Sequence, residues 1–217
     1  MTTMTPSRAT VSSPVEPVVA LKRRTLDSIL ISVGGVLTAA LFVAGALLTW
    51  GSHFAGGYVN DELSSQHVAF PPAAALTQEG RTDLTQWGGA KVNTGAEAQA
   101  YASYINGHLK GIGQGKTYAD LGAAEFAARD AVTAAKADGS SPDKVASLQA
   151  KYDAVSGQRN TLFKGETLRG LLLTAFAWAT VGRIAGYAAF GAFLAGAAML
   201  VLVVLGLRHH HDVVQHS

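Results

Sequence analysis

Three histidines, His53, His67 and His108, stand in the middle of the chain among its carboxylates. Imidazole plus carboxylate is the donor set of a non-haem iron or zinc site. Such a site needs two imidazoles and a carboxylate on converging surfaces. No HxH, HxxE or HExxH spacing brings these residues together, so they read as surface residues. A second candidate is Gly111–Thr117, GIGQGKT, which looks like a phosphate-binding loop. That motif requires a glycine five residues before its Gly-Lys-Thr, and the position holds Lys110. The segment also follows a helical pattern rather than a strand, so it reads as a connector between helices. Asp120, Glu125, Asp130 and Asp138 lie at solvent-type positions of an Ala-rich helix, where a solvated face is the expectation. No GxSxG elbow is present. The chain has no cysteine, which excludes disulfides, thiolate nucleophiles and Cys-held metals. Catalytic, cofactor-binding and metal-ligating residues are therefore all expected to be none.

The remaining composition points to lipid. Of 217 residues, 17 are Lys or Arg and 15 are Asp or Glu, a net charge of +2. That balance argues against a nucleic-acid partner held by bulk positive charge. A hydrocarbon core about 30 Å thick takes roughly 20 apolar helical residues. Two stretches reach that length without a charge, Leu30–Trp50 and Ile184–Leu207. The first follows Lys22-Arg23-Arg24, as a secretory signal would. It exceeds the usual apolar length of about 7–15 residues, and no small-x-small cleavage site precedes Gly51. An uncleaved anchor is the expectation, with Thr25 as helix cap, Asp27 in the first turn and Trp50 at the headgroups.

Orientation follows from the short flanks. Residues 1–25 carry Arg8, Lys22, Arg23 and Arg24 against Glu16, and the other flank opens with Arg208 and three histidines. Both ends should lie in the cytoplasm of a multi-pass cell-membrane protein, with the middle outside. The expected divisions are a disordered tail over 1–24, a span over 25–50, an extracytoplasmic helical domain over 51–183, a span over 184–207 and a tail over 208–217. The fold class expected is all-α: two transmembrane helices with a small helical bundle between them.

Within the middle, Gly56-Gly57 should break the chain and Tyr58–His67 form a short helix, ended before Phe70-Pro71-Pro72. Thr94 and Glu97 make a capping box that opens a helix to about Leu109. Gly111, Gly113 and Gly115 should form a flexible connector, and Thr117 should cap a helix to Ala137 with Leu121, Phe126 and Val132 inward. Ser141-Pro142 starts the last helix, and Val145, Leu148, Tyr152 and Val155 continue it toward the second span. Gly157 is a possible kink.

The segment Gly170–Gly182, GLLLTAFAWATVG, is uncharged and lies just ahead of Arg183. On a straight helix Arg183 stands about 36 Å from Leu207, at the outer headgroups, where a guanidinium reaches phosphate. The apolar turns beyond it need cover. Either the chain's own helices after Trp50 supply it, or a partner or second copy does. Gly182 and Gly186 add a GxxxG pair, echoed by Gly35 with Ala39 and Gly191 with Ala195. These rows suit pairing of the two spans within one chain, self-association, or a hetero-complex. The interface candidates are Gly170, Leu171, Leu172, Phe176, Trp178, Gly182, Arg183 and Gly186.

WGSHF (Trp50–Phe54), FPP (Phe70–Pro72), KTY (Lys116–Tyr118) and FKGETLRGLLLTAFAWATVG (Phe163–Gly182) together resemble a family of actinobacterial two-span membrane proteins. The resemblance runs over roughly residues 20–207, and ETLRGLLL is its most specific part. It implies the two-span topology and no established activity. Some members bear, by transfer, the name of an aromatic ring-opening dioxygenase, which implies an iron triad that residues 51–183 do not spell out. The function expected is a non-enzymatic component, accessory or structural, of a cell-envelope complex, with the bilayer and a second copy or membrane protein as partners. A metal-dependent enzyme and an extracytoplasmic sensor are the alternatives.

Overall fold

A computed structural model describes the backbone of residues 23–215 and the side chains of 25–209. The fold is all-α. Five α-helices, α1 (Arg23–Ser65), α2 (Ala73–Gln78), α3 (Gly95–Gly113), α4 (Gly122–Ala137) and α5 (Pro142–Gln215), are joined by a 3-10 helix, Thr82–Trp87, between α2 and α3. Among the described residues no strand forms; one antiparallel bridge joins Ala69 and Lys91. Helices α1 and α5 are both long and apolar enough to cross a membrane, with mean hydropathies of 2.2 and 2.5 in their most apolar stretches.

The cause of the length of α1 lies in its spacing. Its less exposed positions include Asp27, Ile31, Gly34, Thr38, Leu41, Gly45, Leu48, Ser52, Ala55, Val59 and Leu63, at steps of three and four. That is the seam of a helix that keeps one face against a partner helix over many turns. Gly56-Gly57 therefore does not break the chain, contrary to the sequence expectation. Each glycine costs about 1 kcal/mol of helix propensity, and buried Ala55 and Val59 on either side hold the turn against α5. Thr25 likewise lies inside α1, two residues past its first residue, and is not its cap. Residues 1–22 of the expected tail lie outside the described residues. At the other end the backbone stays helical beyond Leu207 to Gln215, so α5 continues past the uncharged run.

The chain divides into two compact units. The first holds the described residues up to Phe42 and from Phe193 onward. In it, a Cβ added at Gly34 would lie 2.9 Å from Val203 Cγ2, one at Gly206 3.3 Å from Ile31 Cγ1, and one at Gly196 3.4 Å from Leu41 Cβ. Glycine thus sets how closely the helix backbones approach here, which is what favours helix pairing where burial from water gives no drive. The hydroxyl of Thr38, buried in this seam, donates to the Gly34 carbonyl at 2.8 Å and needs no outside partner. Outward side chains are large and apolar: Val36 is 70% exposed and Leu202 62%.

The second unit is Val43–Ala192. Here Gly182 faces Ala55 and the Ser52 carbonyl, and Gly186 faces Ser52 Oγ. Around this pair the rest of the unit is built on a core of Phe70, Leu76, Leu84, Val92, Ala98, Ala102 and Leu172. Phe70 N–H donates to Ala90 O and Val92 N–H to Val68 O, both at 2.9 Å, so the 68–70 and 90–92 segments close a loop over α2 and the 3-10 helix. Helix α3 opens with the expected capping box, Thr94 to Glu97, and runs four residues past Leu109. It takes in Gly111 and Gly113, and the turn falls on Gln114 and Gly115 at φ 51° and 81°. Thr117 forms its box with Asp120 one turn ahead of α4, which begins at Gly122. Leu121 and Val132 are buried as expected, but Phe126 is 52% exposed and lies under the Arg129 guanidinium. Gly157 does not interrupt α5.

Arg159 ties these pieces together. Its Nη1 pairs with Glu125 of α4, its Nε donates to the Tyr118 carbonyl at 3.1 Å, and its guanidinium stacks 3.9 Å over the Tyr118 ring. Ser156 and Arg159 hold the Glu125 carboxyl below its ordinary 4.5. A carboxylate so depressed contributes stability that is complete above its unfolded pKa and fades as pH falls through the folded one. Thermal midpoints of the wild type should therefore drop as pH falls below about 4.5, and Glu125→Gln should be less stable at pH 7 with a shallower acid slope. Equal slopes for the two proteins would remove Glu125 from the link.

A second expectation concerns Gly95, the first residue of α3, whose missing Cβ lets α3 lie against Ala179 and Phe176 of α5. Gly95→Ala should cost about 1–3 kcal/mol through overpacking. Gly57→Ala, where a Cβ meets nothing within 4 Å, should gain roughly 0.5–1 kcal/mol. Thermal unfolding in detergent measures both.

Candidate functional site: an apolar groove between α1 and α5

The interface candidates part into two sets. Leu172 is 5% exposed and belongs to the core. Phe176 is half-buried, and its Cα would lie 3.3 Å from a Cβ at Gly95. Gly182 and Gly186 are taken up by Ala55 and Ser52 of α1. So the GxxxG pair serves pairing within this chain. Gly170, Leu171, Trp178 and Arg183 remain exposed, Leu171 at 64% and Trp178 at 52%.

Leu171 and Trp178 form one bank of a groove of about 420 Å³. The α5 side supplies Leu168, Leu171, Leu172, Ala175 and Trp178, at helical steps of three and four. The α1 side supplies Tyr58, Val59, Glu62, Leu63 and Gln66. Val68 and Val92, brought together by the Val92 N–H to Val68 O bond, close the floor. Its polar groups are few: Glu62, Gln66 and Thr174, the last donating to Gly170 O at 3.0 Å. An apolar track leads into it along α1. Trp50, Phe54 and Tyr58 stack face to face at centroid distances of 5.7 and 6.2 Å. The i, i+4, i+8 spacing of these aromatics was the signal in the sequence that would have found this bank of the groove.

The residues that suggested chemistry do not assemble. Among the described residues no three of His, Asp and Glu come together to hold a metal ion. His53 is exposed on α1, and His67 takes φ 51° in the turn after it. His108 lies 3.5 Å from Glu79 and edge-on to Tyr104. Around that pair Arg81 makes a fork, with Nε and Nη2 on Asp83 at 3.0 and 2.9 Å and Nη1 on the Ser103 carbonyl at 2.9 Å. The hydrogen bond with Asp83 raises the Arg81 pKa and lowers that of Asp83. Burial, then the neighbouring Glu79, pushes the Tyr104 phenol up, away from the ionised form a base would need. This cluster joins the 3-10 helix to α3; its groups are engaged with one another. The GIGQGKT segment begins in the last turn of α3, and the Thr117 N–H that a phosphate would want donates to Asp120 Oδ2 at 2.8 Å. Asp61 and Glu62 pair with neither Arg169, which holds Glu166 at 2.9 Å, nor Arg183.

No family model, curated protein or solved structure matches this chain.

The neighbours Leu171 and Leu172 separate surface from core. Leu172→Ala should cost about 2–5 kcal/mol, the usual loss for a large side chain removed from a packed interior. Leu171→Ala should change stability by less than about 0.5 kcal/mol. Chemical or thermal unfolding of the two variants reads this directly, and equal losses would mean that the groove bank is part of the core.

Proposed function

We propose that this chain is a non-enzymatic, two-span membrane protein that serves as an accessory or structural component of a cell-envelope complex; its resemblance to the actinobacterial two-span proteins supports the topology alone. In this reading both ends lie in the cytoplasm and the helical domain is exported. The charge of the short flanks supports that orientation. The observation that carries the function is the apolar groove lined by Tyr58, Leu171 and Trp178. A surface of that kind, left open in a single chain, is a docking surface. Its occupant is an apolar helix of a partner membrane protein. Both banks are helical faces with side chains at steps of three and four, which is how one helix lies along two others. The aromatic track from Trp50 gives such a helix a path out of the bilayer into the groove.

Solubilised gently from its native membranes, the protein should run as a particle heavier than one chain and one detergent belt. Leu171→Ala with Trp178→Ala should release the single chain without loss of fold. A lone monomer in every mild detergent would overturn the proposal. So would one equivalent of iron or zinc per chain that is lost on substituting His53, His67 or His108, because that outcome assigns an enzyme. The chain lacks cysteine, so one Cys introduced at exposed Ser147 reports its side of the membrane to an impermeant thiol reagent. Labelling in intact cells is the expected result.

A further inference from the structure

Arg183 stands at the edge of the second uncharged run, with 24 residues to Leu207 carrying no charge. Its guanidinium makes one contact, to Thr180 Oγ1 at 3.3 Å. Among the described residues no carboxylate lies within ion-pair reach of it. The other arginines of this unit, Arg81, Arg129, Arg159 and Arg169, each hold an acid. Arg183 instead lines a cleft of about 360 Å³, which shares Val59 with the groove and is otherwise built from other residues. The cleft is walled mainly by apolar surface, into which Ser52 and Asn60 of α1 and Asn93 and Thr94 ahead of α3 set polar groups.

We infer that this cleft binds the phosphate of a phospholipid headgroup, with Arg183 as the charged ligand. This rests on the two-span reading above, because it requires Arg183 at the level of the headgroups. Three observations converge on a lipid phosphate. The first is a cation without an acid, which a phosphate oxygen satisfies through a charge-assisted hydrogen bond. The second is the surrounding donor set: the Asn60 amide, which donates to Asn93 O at 3.2 Å and keeps a second N–H, the Ser52 hydroxyl, and the first turn of α3, whose Gly95 and Ala96 line the cleft. Helix starts favour anions. Glu97 takes the Asn93 and Thr94 amides at 2.8 Å, so those two donors are already used within the capping box. The third is position. One turn further along α5, Tyr187 is 75% exposed, and on α1 Trp50 is 68% exposed. Exposed Trp and Tyr mark the lipid–water boundary. A phosphate just beyond that boundary belongs to a lipid.

The test uses the full-length protein, delipidated in mild detergent, and reads its thermal midpoint on addition of three probes. These are phosphatidylglycerol, diacylglycerol with the same chains, and inorganic phosphate. Phosphatidylglycerol should raise the midpoint, and the other two should not. The rise should be lost in Arg183→Gln, kept in Lys136→Gln, which removes an exposed charge at the far end of α4, and lost in Asn60→Asp, which sets a negative charge in the same cleft and serves where Arg183→Gln does not fold. An equal rise with diacylglycerol would mean that only the tails bind. An equal rise with inorganic phosphate would assign a site for a soluble anion. A full response in Arg183→Gln would show that another group holds the phosphate. Each of these overturns the inference. Retention of the variants in carbonate-washed membranes separates its failure from failure of the two-span reading.

Discussion

The rest of the structure depends on the close approach of α1 and α5 through small side chains. In each unit the contact is made the same way, with a glycine on one helix and a short or branched side chain on the other: Gly206 with Ile31, Gly34 with Val203, Gly186 with Ser52, Gly182 with Ala55. In water such a seam would be a poor source of stability, because glycine buries little apolar area. In lipid the balance changes. Apolar side chains gain nothing by leaving hydrocarbon for a protein interface, so packing closeness and satisfied polar groups decide. The threonines on these helices obey the same constraint. Thr38, Thr49, Thr174 and Thr180 each donate to the carbonyl four residues back. None asks anything of the surrounding medium.

The seam also explains why the second unit has an open groove. Where α1 and α5 pair through small residues, their large side chains are turned to the flanks. In the first unit those flanks are largely apolar, as Val36 and Leu202 illustrate. In the second unit one flank receives α3, which lies on Ala179 and Phe176 because Gly95 has no side chain to prevent it. The other flank receives only the 68–70 and 90–92 segments. These reach Leu172 and Leu63 but leave Leu171, Trp178 and Tyr58 uncovered. The groove is thus what remains when a small domain covers one side of a helix pair and part of the other.

Much of the architecture was legible in the residues because it rests on local rules. The Thr94–Glu97 capping box, the Ser141-Pro142 start of α5, the buried Leu121 and Val132 and the two uncharged runs all follow from neighbours within one or two turns. The failures share one cause. Gly56-Gly57 and Gly111 to Gly113 read as breaks because glycine propensity is a local cost, and helix packing some 125 residues away along the chain outweighs it at Ala55 and Val59. Phe126 read as inward because a helical repeat gives a face and not its partner; α4 turns Leu121, Val132 and Ala135 to the interior and leaves Phe126 beside Arg129. Arg159 was passed over altogether, although it joins Glu125 and Tyr118, because its partners lie 34 and 41 residues away. The groove was half visible. Its α5 bank was in GLLLTAFAWATVG, while its floor at Val68 and Val92 exists only once two distant segments pair.

The division of roles between the two exposed faces follows from which side chains a helix pair can spare. A pair held by small residues has its large side chains available for other contacts, and the sequence uses them differently on each side of the seam. On the α3 side, polar groups gather beside Arg183, where a charge is tolerable because the uncharged run begins only at Ile184. On the opposite side, Leu171, Trp178 and Tyr58 gather with Glu62 and Gln66 as the main interruptions. Several charged groups of the unit serve instead as ties between elements: Arg81 holds Asp83 and the Ser103 carbonyl, Tyr104 reaches Glu79, and Arg159 holds Glu125.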